Sequence, residues 1–93
     1  METIQEKFER FDAEHPEVYE HLVRKTWDAW NAGFKRFSIK AVYNVSRFEL
    51  SIKKANGEQY KLPDQYHSRY ARKIVQDYPS LRNFFKFKRL RTL

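Results

Sequence analysis

Cysteine is absent from this 93-residue chain, glycine occurs twice and proline three times. Without a thiol, a disulfide scaffold, a thiolate zinc site, an iron–sulfur cluster and a cysteine nucleophile are all excluded. Two glycines, Gly33 and Gly57, cannot build a glycine-rich phosphate loop, and their scarcity argues against low-complexity sequence. No apolar run approaches the roughly 20 residues that a bilayer span requires. The opening METIQEKFERFDAEHPEV alternates acids with bases and has no apolar core segment, so we expect no secretory signal, no membrane partner and a soluble cytoplasmic protein.

What is present points to one compact domain over residues 1–93, because 41% of the chain is hydrophobic and 33% charged. Two quantities stand out, a net charge of +7 and an aromatic content of 17%. The charge is unevenly placed. Residues 1–33 carry eight acids and four bases, a net of −4, whereas residues 34–93 carry fifteen bases against Glu49, Glu58, Asp64 and Asp77, a net of +11. An acidic helical hairpin followed by a basic segment is the pattern of a polyanion-binding surface.

Four helices are predicted, so the fold class is mainly α. The first spans about 3–13, with Ile4, Phe8 and Phe11 at helical spacing and Thr3 and Glu6 forming a capping box. Pro16 suits the first turn of a second helix that runs to about Ala32 and stops at Gly33, with Val18, Leu22, Val23, Trp27 and Trp30 on its apolar face. Ser38 starts a third, carrying Ile39, Val42 and Val45. Residues 48–53 alternate apolar and polar, so they fit a strand as well as a helical end. Asn56-Gly57 is a turn signal and 59–62 a plausible short strand. Pro63 and Asp64 open the fourth helix, which reaches Asp77 before Tyr78-Pro79 stops it. After one turn over 80–83, residues 84–91 alternate aromatic and basic as an exposed strand does.

Three core helices, a turn, a fourth helix and two short strands add up to a helix-turn-helix with a two-stranded wing. In that architecture the helix over 63–77 enters the major groove. Gln65, Ser68, Arg69 and Arg72 would face base edges, since Gln suits adenine and Arg suits guanine, while Lys73, Lys61, Lys86, Lys88, Arg89 and Arg91 would hold phosphates. The plainer reading of Arg69, Arg72 and Lys73 is a solvated helix face. For the aromatics it is core packing, which we expect of Trp27, Trp30, Tyr66 and Tyr70; for Phe84, Phe85 and Phe87 we expect a strand with one face packed, ahead of the alternative that they stack unpaired bases. His15, His21 and His67 are too dispersed for a metal box, and carboxylates do not cluster. The expectation is therefore no catalytic residue, no metal and no cofactor.

The string His15-Pro16-Glu17-Val18-Tyr19-Glu20-His21-Leu22-Val23-Arg24, with Ser38-Ile39 and Val45-Ser46-Arg47-Phe48-Glu49, resembles a family of small uncharacterised bacterial and phage-encoded proteins, winged-helix-like in character. Ser68-Arg69-Tyr70-Ala71-Arg72, Tyr78-Pro79 and Phe84-Phe85 add to the likeness. The resemblance implies a phage or prophage setting, and hence the host cytoplasm, with no catalytic motif to transfer. Leu62-Pro63-Asp64-Gln65 departs from an Asn-rich segment in that family, so no base contact there is carried over. Double-stranded DNA is the expected partner and transcription regulation the expected role. The alternative is a phage-encoded inhibitor of a host defence protein or nuclease, engaged through the acidic first 33 residues. A homodimer through the first helix would match the two-fold habit of such readers.

Overall fold

A computed structural model describes residues 2–54 and 61–85 of the chain. Its elements are α1 (Ile4–Glu14), α2 (Pro16–Asn31), α3 (Ile39–Lys54), a 3₁₀ turn (Asp64–Tyr66), α4 (His67–Asp77) and a second 3₁₀ turn (Pro79–Leu81). The protein is a small, mainly α-helical bundle.

Local chemistry accounts for the helix ends. The Thr3 hydroxyl accepts from the Glu6 N–H at 3.1 Å, and Glu6 Oε1 accepts from the Thr3 N–H at 3.2 Å, the expected capping box. Pro16 opens α2. At its far end Gly33 has φ +96°, and the N–H groups of Gly33 and Phe34 reach back to Trp30 O (3.1 Å) and Ala29 O (3.2 Å). That is a Schellman turn, which needs a residue tolerant of the left-handed region at Gly33. The Ser38 hydroxyl accepts from the Ala41 N–H at 3.3 Å and so opens α3.

The helices close on one core containing Val18, Leu22, Val42, Tyr43, Leu50, Tyr70, Ala71, Ile74, Leu81 and Phe84. Phe8 of α1 enters it edge-on against Tyr70 and Tyr66, at centroid separations of 4.8 and 5.6 Å. The Tyr43 hydroxyl donates to Pro63 O at 2.5 Å and Arg47 donates to Leu62 O at 2.7 Å, which ties the segment ahead of α4 to α3.

Residues 48–53, which fit either a strand or a helical end, are helical and complete α3, with Leu50 facing the core and Phe48 and Ile52 turned to solvent. Other expectations are corrected. The helix expected over 63–77 is divided, with Gln65 in the 3₁₀ turn and the α-helix starting at His67. No two-stranded wing is seen among the described residues; their one β-type pairing is a parallel bridge between Phe37 and Phe85. Phe84 and Phe85 are buried at 1% and 3% exposure, because the turn at Pro79–Leu81 folds the chain back and both rings enter the core. Neither can stack a base. Trp30, expected in the core, is 41% exposed. The Asn56-Gly57 turn, the strand over 59–62 up to Tyr60, and the wing residues Lys86, Phe87, Lys88, Arg89 and Arg91 lie outside the described residues.

Candidate nucleic-acid interface

α4 buries Tyr70, Ala71 and Ile74 on one side, so its helical repeat turns Arg72 and Gln76 to the opposite side, where both are exposed. Gln65 is exposed in the preceding 3₁₀ turn, and Lys61 is exposed ahead of it. Arg72 and Gln76 form the outward face of the helix that a groove could receive, and Gln65 and Lys61 are exposed in the segment that leads into it. Ser68 and Arg69 are half-buried at its margin.

α1 lies along that margin and engages two of the expected contact residues. Arg69 Nε donates to Gln5 Oε1 at 3.1 Å, a surface hydrogen bond. Lys73 is held more firmly. Its ammonium pairs with Asp12 and sits 4.2 Å from the centroid of the Tyr19 ring, a cation–π contact. Tyr19 in turn donates its hydroxyl to Asp77. Burial, reinforced by the Asp77 carboxylate, pushes the Tyr19 phenol far above its ordinary pKa, so it stays a donor. The opposite charges of the two halves of the chain are thus partly consumed inside the fold. Sequence spacing alone carries no sign of this, since Asp12 and Lys73 are 61 positions apart.

Ahead of α4, Arg47 pairs with Asp64, and its hydrogen bond and charge hold that carboxyl below the usual range. The His67 Nδ1–H donates to Asp64 O and its ring lies 6.1 Å from that of Tyr43, so His67 packs locally at the start of the helix. No protein family, curated protein or solved structure matches this chain.

Two features escaped the sequence reading. The first is a polar cluster between α2 and α3. His21 and Ser46 are buried at 3% and 0% exposure, with Nδ1 of His21 2.9 Å from the Ser46 hydroxyl and Nε2 2.7 Å from Glu49, which also pairs with Lys25 at 3.0 Å. Burial lowers the His21 pKa against the opposing pull of Glu49, which fits a neutral ring that accepts from Ser46 at Nδ1 and donates to Glu49 at Nε2. Burial raises Glu49, but the hydrogen bonds and charges of Lys25 and His21 outweigh it and hold the carboxyl low. Serine, histidine and glutamate meet here as they do in hydrolases, yet the Ser46 hydroxyl is sealed from any incoming carbonyl. The cluster fixes the register of α2 on α3. An open groove of about 380 Å³ lies beside it, lined mainly by charged side chains that include Glu17, Glu20, Arg24 and Lys53.

The second is a row of aromatic rings reaching the surface where α2 ends. It runs through Phe34, Phe37, Phe84, Trp30, Trp27 and Tyr78, with successive centroids 5.1, 6.5, 5.6, 5.9 and 5.6 Å apart. Among the described residues no group of three or more His, Asp or Glu side chains could hold a metal ion. No described helix is long and apolar enough to cross a membrane.

Proposed function

We propose that this protein is a non-enzymatic DNA-binding module in which α4, preceded by the 3₁₀ turn at Gln65, reads duplex DNA in the manner of a helix-turn-helix. The observation that carries the reading is the outward face of α4. Arg72 stands exposed opposite a fully buried stripe, Gln65 and Gln76 flank it, and the one acid of the helix, Asp77, is bound by Tyr19. Arg72 offers a guanidinium for guanine, Gln65 an amide for adenine, and Lys61 a phosphate contact at the entry of the helix. Lys73 has a structural part in this reading, because release from Asp12 and Tyr19 would precede any phosphate contact. Regulation of a phage or prophage gene in the host cytoplasm is the setting that the sequence resemblance implies.

Binding of the full chain to random duplex across a salt series tests the proposal. Affinity should fall steeply with salt, and Arg72→Ala should weaken it by about 1–3 kcal/mol. Undetectable binding to any duplex at low salt would sink it.

One observation favours the alternative of a protein partner. Val45, Phe48 and Ile52 recur at i, i+3 and i+7 on the solvent side of α3, and Phe48 is 66% exposed. A polyanion has no use for that stripe. Phe48→Asp and Ile52→Asp should abolish capture of a host protein if the inhibitor reading holds, while leaving duplex affinity intact if the DNA reading does.

A further inference from the structure

From the aromatic row at the end of α2 we infer a second binding surface, a stacking platform for unpaired bases of single-stranded nucleic acid. The inference rests on the DNA reading for the class of partner but not for the surface, which is separate from the outward face of α4.

The rings that reach solvent are Trp30 (41% exposed), Phe34 (52%) and Tyr78 (37%). Each is only partly uncovered because another ring supports it. Trp30 packs on Trp27 and Phe84, Phe34 on Phe37, and Tyr78 edge-on against Trp27 at 88°. The backbone beneath is equally constrained. The Schellman turn at Gly33 pins Phe34 to Ala29, and Phe37 N–H donates to Phe84 O at 2.9 Å, so the loop after α2 is laced to the segment after α4. Such rings lose little freedom when a base covers them, which is what a stacking platform requires.

Charge selects the occupant. Residues 27–37 and 78–85, which build this surface, contain Lys35, Arg36 and Arg82 against one acid, Asp28, whose carboxylate lies 3.9 Å from the Lys25 ammonium. All three bases are exposed. Cations beside partly exposed aromatic rings match a polymer with phosphates on one edge and planar bases on the other. A duplex offers its bases only at the ends, so a stacking surface favours a single strand. An anionic lipid surface shares the charge but calls for side chains that project and insert, whereas these rings lie against their neighbours.

The full chain is to be titrated with fluorescently labelled (dT)12, (U)12 and a 20-base-pair duplex, in parallel with phosphatidylserine/phosphatidylcholine vesicles. Phe34→Ser and Trp30→Leu should each weaken (dT)12 and (U)12 binding by roughly 10- to 100-fold, and leave the duplex within about threefold. In a Trp27→Phe background, (dT)12 should quench the emission of Trp30. Arg72→Ala should do the opposite, weakening the duplex and sparing the single strands. Because Phe34 is the most exposed of the three rings, Phe34→Ser keeps the test valid should Trp30→Leu fail to fold, which thermal unfolding will show. Unchanged single-strand affinity in a folded Phe34→Ser variant overturns the proposal. Vesicle binding that Phe34→Ser abolishes, with no single-strand binding, also overturns it by assigning the surface to lipid. Loss of the duplex response at Arg72 with the platform response intact would remove the helix-in-groove reading alone.

Discussion

Polar groups serve two of the seams in this bundle in opposite ways. Between α2 and α3, His21 and Ser46 are enclosed while Glu49 reaches them from the partly exposed edge, so the His21–Ser46 hydrogen bond is obligatory once water has left. Between α1 and the α4 region the interior is aromatic, with Phe8 against Tyr66 and Tyr70, and the charged pair of Asp12 and Lys73 is partly buried at its edge. In the first seam polar groups dictate alignment. In the second, apolar area supplies the stability and the charges mainly set where α1 lies, which decides how much of α4 stays open.

The largest test of that contrast is Phe8→Ala, expected to cost about 3–5 kcal/mol in urea unfolding, because the cavity would open inside a ring cluster that cannot collapse. Next comes His21→Ala, which strands the buried Ser46 hydroxyl and should cost about 1–3 kcal/mol. An unaffected midpoint would show that the α2–α3 seam does not depend on its polar cluster.

Acidification should separate the seams further. The unfolded chain takes up a proton on His21 near its ordinary 6.5, whereas the folded protein resists it. Below pH 6.5 the unfolded state therefore binds more protons, and stability falls with pH until the lowered folded value is passed. Glu49, held below its ordinary 4.5, adds a further loss at lower pH. Melting temperature followed from pH 8 to 4 should show the first decline in the native protein and lack it in His21→Leu.

The smallest effect is expected at the edge of the second seam. Asp12→Asn should change stability by about 1 kcal/mol or less, and less again at high salt. Its functional effect should be the reverse of a loss. With Lys73 released, duplex affinity should rise and its salt dependence steepen.

Much of this was legible in the chain. Thr3 with Glu6, Pro16, Gly33 and Ser38 are local signals, since a cap or a proline acts on its own backbone within four residues, and they placed the starts of α1, α2 and α3 and the end of α2 to within a residue. Pro63 instead marked the 3₁₀ turn, and α4 begins only at His67. The strand-like alternation over 48–53 left the end of α3 open because Phe48, Leu50 and Ile52 satisfy both periods when a helix buries one side and leaves apolar residues on the other. Trp30, expected in the core, reaches the surface, while Phe84, expected in a strand with one face packed, is wholly buried. An apolar face on a helix says which residues can be buried, but the partners that arrive decide which ones are.

Sequence by itself therefore determined the helical class, the starts of the first three helices and the separation of acidic from basic residues, all properties of neighbours along the chain. Only the tertiary structure decided that Lys73 spends its charge on Asp12, that His21 is sealed against Ser46, and that Trp30, Phe34 and Tyr78 share one basic surface. Each of those joins residues from different helices or loops, and only the packing of the core sets the distances between them.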